Sequence, residues 1–212
     1  MREKFNRGFT LIEMLVVIGI IAILVGASIA GFSSMTKTAE KAKGQELVSN
    51  TATALTALFQ EEGAWPKKLA SDGKTEGRLN DRVCVALAKG RYFSLSYDAN
   101  SEKLTGHDRF GIITPWGMNF VKRLGTKAEL SSKVSPNSTV EDHVLYYALD
   151  LDGDGVIKGA NVGGESVDVR ATAIVWSIGK SGGNNGKPWP YKQGLRKDDI
   201  YSWTPAQTKD VK

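Results

Sequence analysis

Cysteine is nearly absent. Cys84 is the only one in 212 residues, so no intramolecular disulfide can form. With Val83, Val85 and Leu87 around it, Cys84 reads as a small buried apolar residue. Histidine is almost as scarce. His107 and His143 are the only two, and neither lies in a zinc-ligand spacing or near a G-x-S-x-G nucleophile. Gly179-Lys180-Ser181 ends like a phosphate loop, but Ile174 stands where the first glycine of that loop belongs. With no nucleophile–base constellation left, no catalytic residue is expected and a structural or binding role is favoured over an enzyme. Basic residues do not run together with interleaved aromatics, so a nucleic-acid partner is not expected either. The formal net charge of +5 (28 Lys+Arg against 23 Asp+Glu) reads as a solvated surface. No internal repeat is evident.

What the chain does have is one long apolar run from Phe9 to Phe32, about 24 residues and roughly 36 Å as a helix, enough to span a bilayer. A short basic segment precedes it, with Arg2, Lys4 and Arg7 against Glu3. Basic residues ahead of an apolar span hold that end in the cytoplasm, which places everything after Ser33 outside it. Glu13 breaks the pattern. A carboxylate inside hydrocarbon costs a few kcal/mol on insertion scales, so it needs a partner or a purpose. The residues alone leave three readings open. One is a permanent signal anchor with an expensive glutamate. Another is a secretory signal cut after Ser28-Ile29-Ala30. The third is a leader cut at Gly8 that leaves the apolar helix in the mature chain.

The segment G-F-T-L-I-E, Gly8 to Glu13, closely resembles the signature of type IV pilins and type II secretion pseudopilins. The resemblance implies cleavage after Gly8 by a prepilin peptidase, methylation of the new amine on Phe9, and retention of the helix. It also implies that Glu13, fifth in the mature chain, meets the amine of a neighbouring subunit during assembly. A buried carboxylate beside a buried ammonium is far cheaper than either alone. E-E-G-A-W-P, Glu61 to Pro66, and T-P-W-G-M-N-F-V, Thr114 to Val121, resemble the helix exit and a P-W-G turn of major pseudopilins, with Thr114 in place of an aspartate.

Beyond the apolar run, Leu47, Val48, Ala52, Leu55, Leu58 and Phe59 form a stripe of helical period, which predicts one helix from about Phe9 to Glu62. Gly63 and Pro66 end it. Lys67 onward reads as a loop, Leu79 to Lys89 as a short helix, and Tyr92 to Tyr97 as a half-buried strand. Pro115 and Gly117 predict a turn. Val144–Leu149 and Val167–Ser177 read as further strands. A long helix that must cover its stripe, followed by short strands, predicts an α+β fold of the pilin-like kind, with the helix packed on a three- or four-stranded antiparallel sheet.

Two acidic segments are candidate calcium loops. In D-L-D-G-D-G-V-I, Asp150, Asp152 and Asp154 alternate, Gly155 is sixth and Val156 seventh, as in an EF-hand-type loop. Asn161 stands where a bidentate glutamate would, and Glu165 lies beyond as a substitute. The structural alternative is an acidic β-turn without metal. The second, Trp176 to Gly186 with Asp198, Asp199 and Trp203, resembles the calcium loop of major pseudopilins. Ser181 departs from that pattern, so carbonyls near Ile178 and Ser181 would have to complete it.

These readings divide the chain into a leader (1–8), a transmembrane and filament-core helix (9–32), the amphipathic half of the helix with its exit (33–66) and a periplasmic α+β domain (67–212). The resemblance implies a single-pass inner-membrane subunit of a type II secretion pseudopilus. Its implied partners are other copies of the chain, the prepilin peptidase, minor pseudopilins, the inner-membrane platform protein and the ATPase motor. Lack of a disulfide favours this over the alternative, a type IV pilin or minor pilin of a surface fibre for adhesion, motility or DNA uptake.

Overall fold

The computed structural model describes residues 10–66, 76–79, 81–125, 133–135, 138–162, 164–179, 199–204 and 207–208. The chain divides into two compact units, 1–41 and 42–212. Helix α1, Leu11–Glu62, runs through both. In the first unit its apolar residues are bare: Leu11 is 84% exposed and Phe32 72%.

In the second unit the predicted stripe is the packing face. Val48, Leu55 and Leu58 are buried, while Leu47, Ala52 and Phe59 are half-buried beside them. Gly63 ends α1 as expected, with φ +69° and its N–H donating to the Phe59 carbonyl at 2.9 Å. The chain then turns Trp65 back against the Phe59 ring, 4.9 Å between centroids.

A sheet of four short strands shares a core with this part of α1. β1 is Glu76–Arg78, and after β2 (Tyr97–Asp98), β3 (Lys103–Leu104), β4 (Lys133–Ser135) and β5 (Ser138–Thr139) comes β6, Tyr146–Leu149. β7 (Ile157–Val162) and β8 (Glu165–Val169) form a hairpin; β9 is Ala173–Ser177 and β10 Ile200–Tyr201. The main sheet has the order β1-β6-β9-β10, and every pairing is antiparallel. Strand alternation sorts its side chains. Leu149, Ala173 and Val175 join the core with α1, whereas Tyr146, Ala148, Ile174 and Trp176 face a second core with Ile157, Val162 and Val169 of the β7–β8 hairpin. The α+β, pilin-like arrangement of a long helix on an antiparallel sheet is therefore the observed one.

The short helix is α2, Asp81–Lys89, which buries Val83, Cys84 and Leu87. Five expectations need correction. Tyr92 to Tyr97 is not a strand: only Tyr97–Asp98 pairs, with β3. Its aromatic residues do pack inward, but the N–H groups of Tyr92 and Phe93 both turn to the Leu87 carbonyl and close the end of α2. Thr114–Val121 is not a turn but the start of α3, Pro115–Leu124. Proline is at home in a first helical turn, and the Thr114 hydroxyl caps it by accepting the Gly117 N–H at 3.3 Å. The strand expected from Val144 starts at Tyr146, Val144 making only an isolated bridge to Ile113. Val167–Ser177 is two strands, because β8 pairs with β7 and β9 with β6; Thr172 between them accepts the Asp150 N–H. Of the loop read at 67–77, residues 67–75 lie outside the described residues, while Glu76 and Gly77 are not loop but part of β1, paired with β6.

Candidate assembly and cation sites

Glu13 sits in the first turn of α1 and is exposed. Its Oε2 accepts both the N–H and the hydroxyl of Thr10, each at 2.8 Å, and its own N–H donates to Thr10 Oγ1 at 3.3 Å. This is a reciprocal capping box. The spacing T-x-x-E was in the sequence, and reading Glu13 only as a partner for the Phe9 amine, within a subunit or between subunits, missed it. The cap satisfies helix-start donors that hydrocarbon would otherwise leave unpaired and places a negative charge at the positive helix end. From this turn onward Leu11–Ser28, with mean hydropathy 2.6 and none of it buried, is long and apolar enough to cross a membrane. A bare apolar surface of this length requires cover by lipid or protein. Gly8 and Phe9, the expected cleavage and methylation pair, lie outside the described residues.

The first acidic loop is held from below. The indole N–H of Trp65 donates to the Asp150 carbonyl at 2.5 Å, and the Asp150 N–H donates to the Thr172 carbonyl at 2.9 Å. Helix exit and sheet thus fix Asp150 from two sides, and it is only 3% exposed. Its two carboxylate oxygens accept the N–H groups of Gly153 and Gly155, each at 2.8 Å. Both glycines have positive φ, +74° and +82°, so the chain curls tightly here. One carboxylate oxygen from each of Asp150, Asp152 and Asp154 lies within 4.8 Å of the others. Burial pushes the Asp150 carboxyl up, while a hydrogen bond with Asp150 pulls exposed Asp152 down. The structure brings the three predicted aspartates together.

It leaves Asn161 and Glu165 in the β7–β8 hairpin. Val156, seventh in the pattern, donates its N–H to Asp154 Oδ1 at 2.8 Å, and β7 begins at the next residue. Asn161 is in β7 and accepts the Gly164 N–H at 3.0 Å, while Glu165 opens β8 opposite Val162. Both sit toward the hairpin tip, beyond the register shift between Ile157 and Ala160. Lys158, ninth in the pattern, bridges Asp154 and, at 3.6 Å, Asp152. The donors suit a hard, oxygen-seeking cation such as calcium, but the three carboxylates fall short of calcium's usual six to eight oxygens, and an ammonium competes for two of them.

At the second loop Asp198 lies outside the described residues. Asp199 accepts the Gly179 N–H at 2.9 Å and the Tyr201 hydroxyl at 3.2 Å, tying the residue after β9 to the start of β10. Beside it Trp176, Tyr201 and Trp203 form an aromatic cluster, with ring centroids 4.9–6.1 Å apart.

The pattern of the prokaryotic N-terminal methylation motif matches residues 4–29. The chain is 33% identical over 71 residues, 34% of its own length, to the type IV major pilin protein PilE of Neisseria gonorrhoeae, of which the match covers 42%. It is 27% identical over 91 residues to the fimbrial protein EcpC of Eikenella corrodens, covering 42% of this chain and 60% of that one. A fimbrial protein of Neisseria meningitidis serogroup A is 31% identical over 71 residues. The chain thus spans about half the length of these relatives. No solved structure matches it. Motif and relatives make the chain similar to type IV pilins over part of its length.

Proposed function

We propose that the chain is a structural subunit of a type II secretion pseudopilus. The observation that carries the reading is the bare apolar helix Leu11–Ser28 with a capped carboxylate at its head, inside the matched methylation motif. On this reading the leader 1–8 is removed at Gly8, Phe9 is methylated, and residues 9–32 anchor the subunit in the inner membrane with the domain 67–212 in the periplasm. The prepilin peptidase, the platform protein, the ATPase motor and minor pseudopilins are its working partners. Copies stack with their helices at the filament core, and the growing filament pushes cargo outward. Glu13 is the assembly contact, pairing with the Phe9 amine of a neighbour. Calcium rigidifies the loop at Asp150, Asp152, Asp154 and Val156, and the loop at Asp198 and Asp199.

Two features favour a pseudopilus: the chain has one cysteine and it is buried, so no disulfide closes the C-terminal region. The names of the relatives favour a second reading, a pilin of a surface fibre. Glu13→Val separates them when introduced into the native host. The variant inserts in the membrane on either reading. Loss of protein export with surface fibres intact supports the pseudopilus; loss of fibres with export intact supports the pilin.

A further inference from the structure

We propose that Lys37 and Lys41 form a cationic pair that binds the phosphate groups of anionic phospholipids while the subunit waits in the bilayer. The inference rests on reading the apolar part of α1 as a bilayer segment. Twenty helical residues fill a hydrocarbon core of roughly 30 Å, so a segment starting at Leu11 leaves the core near residue 30. The exposed apolar surface does not stop there: Phe32 is 72% and Met35 75% exposed. Phe32 then lies about 3 Å past the core, where aromatic rings favour the interface, and Lys37 about 10 Å past it. A lysine stem can lie along the apolar surface and carry its ammonium back to headgroup depth.

Both lysines are exposed and one turn apart, about 40° around the helix. Like charges at that spacing repel, which destabilises an isolated helix slightly. Among the described residues neither lysine makes a hydrogen bond or ion pair, and Glu40, between them in sequence, is half-buried. Lys37 comes within a stem's reach of the headgroups, and Lys41, about 16 Å past the core, adds its charge in the water layer just above them, within a Debye length; two unpartnered ammoniums so placed on one face match an anionic lipid surface in charge. An acidic patch on another copy of the chain would match the charge but not explain the depth.

The test uses the full chain and its Lys37→Gln/Lys41→Gln variant, allowed to partition between vesicles of pure phosphatidylcholine and vesicles with 30% phosphatidylglycerol. A surface lysine gains a few-fold in affinity for an anionic membrane, so the pair should give the wild type about a tenfold preference over the variant for the phosphatidylglycerol vesicles in low salt. The preference should collapse in 0.5 M salt. Residues 1–8 are the same in both chains, so the difference isolates the pair. Equal preference by the two chains overturns the proposal, as does a variant that changes only self-association and not lipid choice. If neither chain floats even with phosphatidylcholine, the bilayer reading of α1 itself fails.

Discussion

Gly44 lets α1 approach α3 and β10 closely. A Cβ there would lie 2.7 Å from Ile200 Cδ1, and 2.8 and 3.1 Å from two ring carbons of Trp116. Gly44→Ala therefore sets two effects against each other. Alanine is the better helix former by about 1 kcal/mol. Overpacking a filled core costs about 1–3 kcal/mol. Trp116 and Ile200 are 6% and 2% exposed, so neither has open space to retreat into. The clash should win, for a net loss of up to about 2 kcal/mol. In a unit of this size that lowers Tm by up to about 8 °C, readable by near-ultraviolet circular dichroism of the full chain in micelles. Trp116→Leu removes the ring, and in that background Gly44→Ala should recover part of the propensity gain, which a double-mutant cycle measures. A higher Tm for Gly44→Ala alone would mean that α3 and β10 do not seat on this turn of α1.

His143 is 7% exposed, and burial lowers its pKa from the ordinary 6.5, with the Asp142 carboxylate pulling the other way. As pH falls through 6.5 the unfolded chain takes up a proton that the folded chain resists, so stability present above that pH is lost below it. Tm should fall between pH 7 and 5, and less steeply in His143→Gln; parallel curves would contradict the assignment. Calcium at a hundredfold excess over its Kd adds about 2.7 kcal/mol, so a chelator should lower Tm by several degrees and Asp152→Asn/Asp154→Asn should shrink that shift. No shift in the wild type would remove calcium from both loops. Thr10→Val breaks the capping box, costs the start of α1 about 1 kcal/mol, and should speed hydrogen exchange at the Glu13 amide; unchanged exchange would show that Thr10 does not cap the helix.

The strongest periodic signals were legible. The α1 stripe, the Gly63 stop and α2 all follow from apolar spacing and helix-ending residues, and their structure agrees. Where the reading slipped, two local rules competed. Proline and glycine in Thr114–Val121 signal a turn and equally a capped helix start, and only the Thr114 hydroxyl and the burial of Trp116 decide between them. The alternation Phe93-Leu95-Tyr97 places side chains correctly, but the backbone N–H groups of Tyr92 and Phe93 were already spent on α2. At the acidic loop, side-chain spacing identified the three aspartates. It could not show that Trp65 anchors Asp150 from 85 positions away, nor that the expected twelfth ligand belongs to a hairpin. Long-range contacts of that kind leave no local pattern.

Glu13 gains its proposed meaning only if the chain is cut beside it. Intact-mass and N-terminal analysis of the mature protein from its native membrane tests this most directly. The account requires a chain that begins at Phe9 and carries one added methyl group. A mature chain that begins at Gly31, or one that keeps residues 1–8, would contradict it.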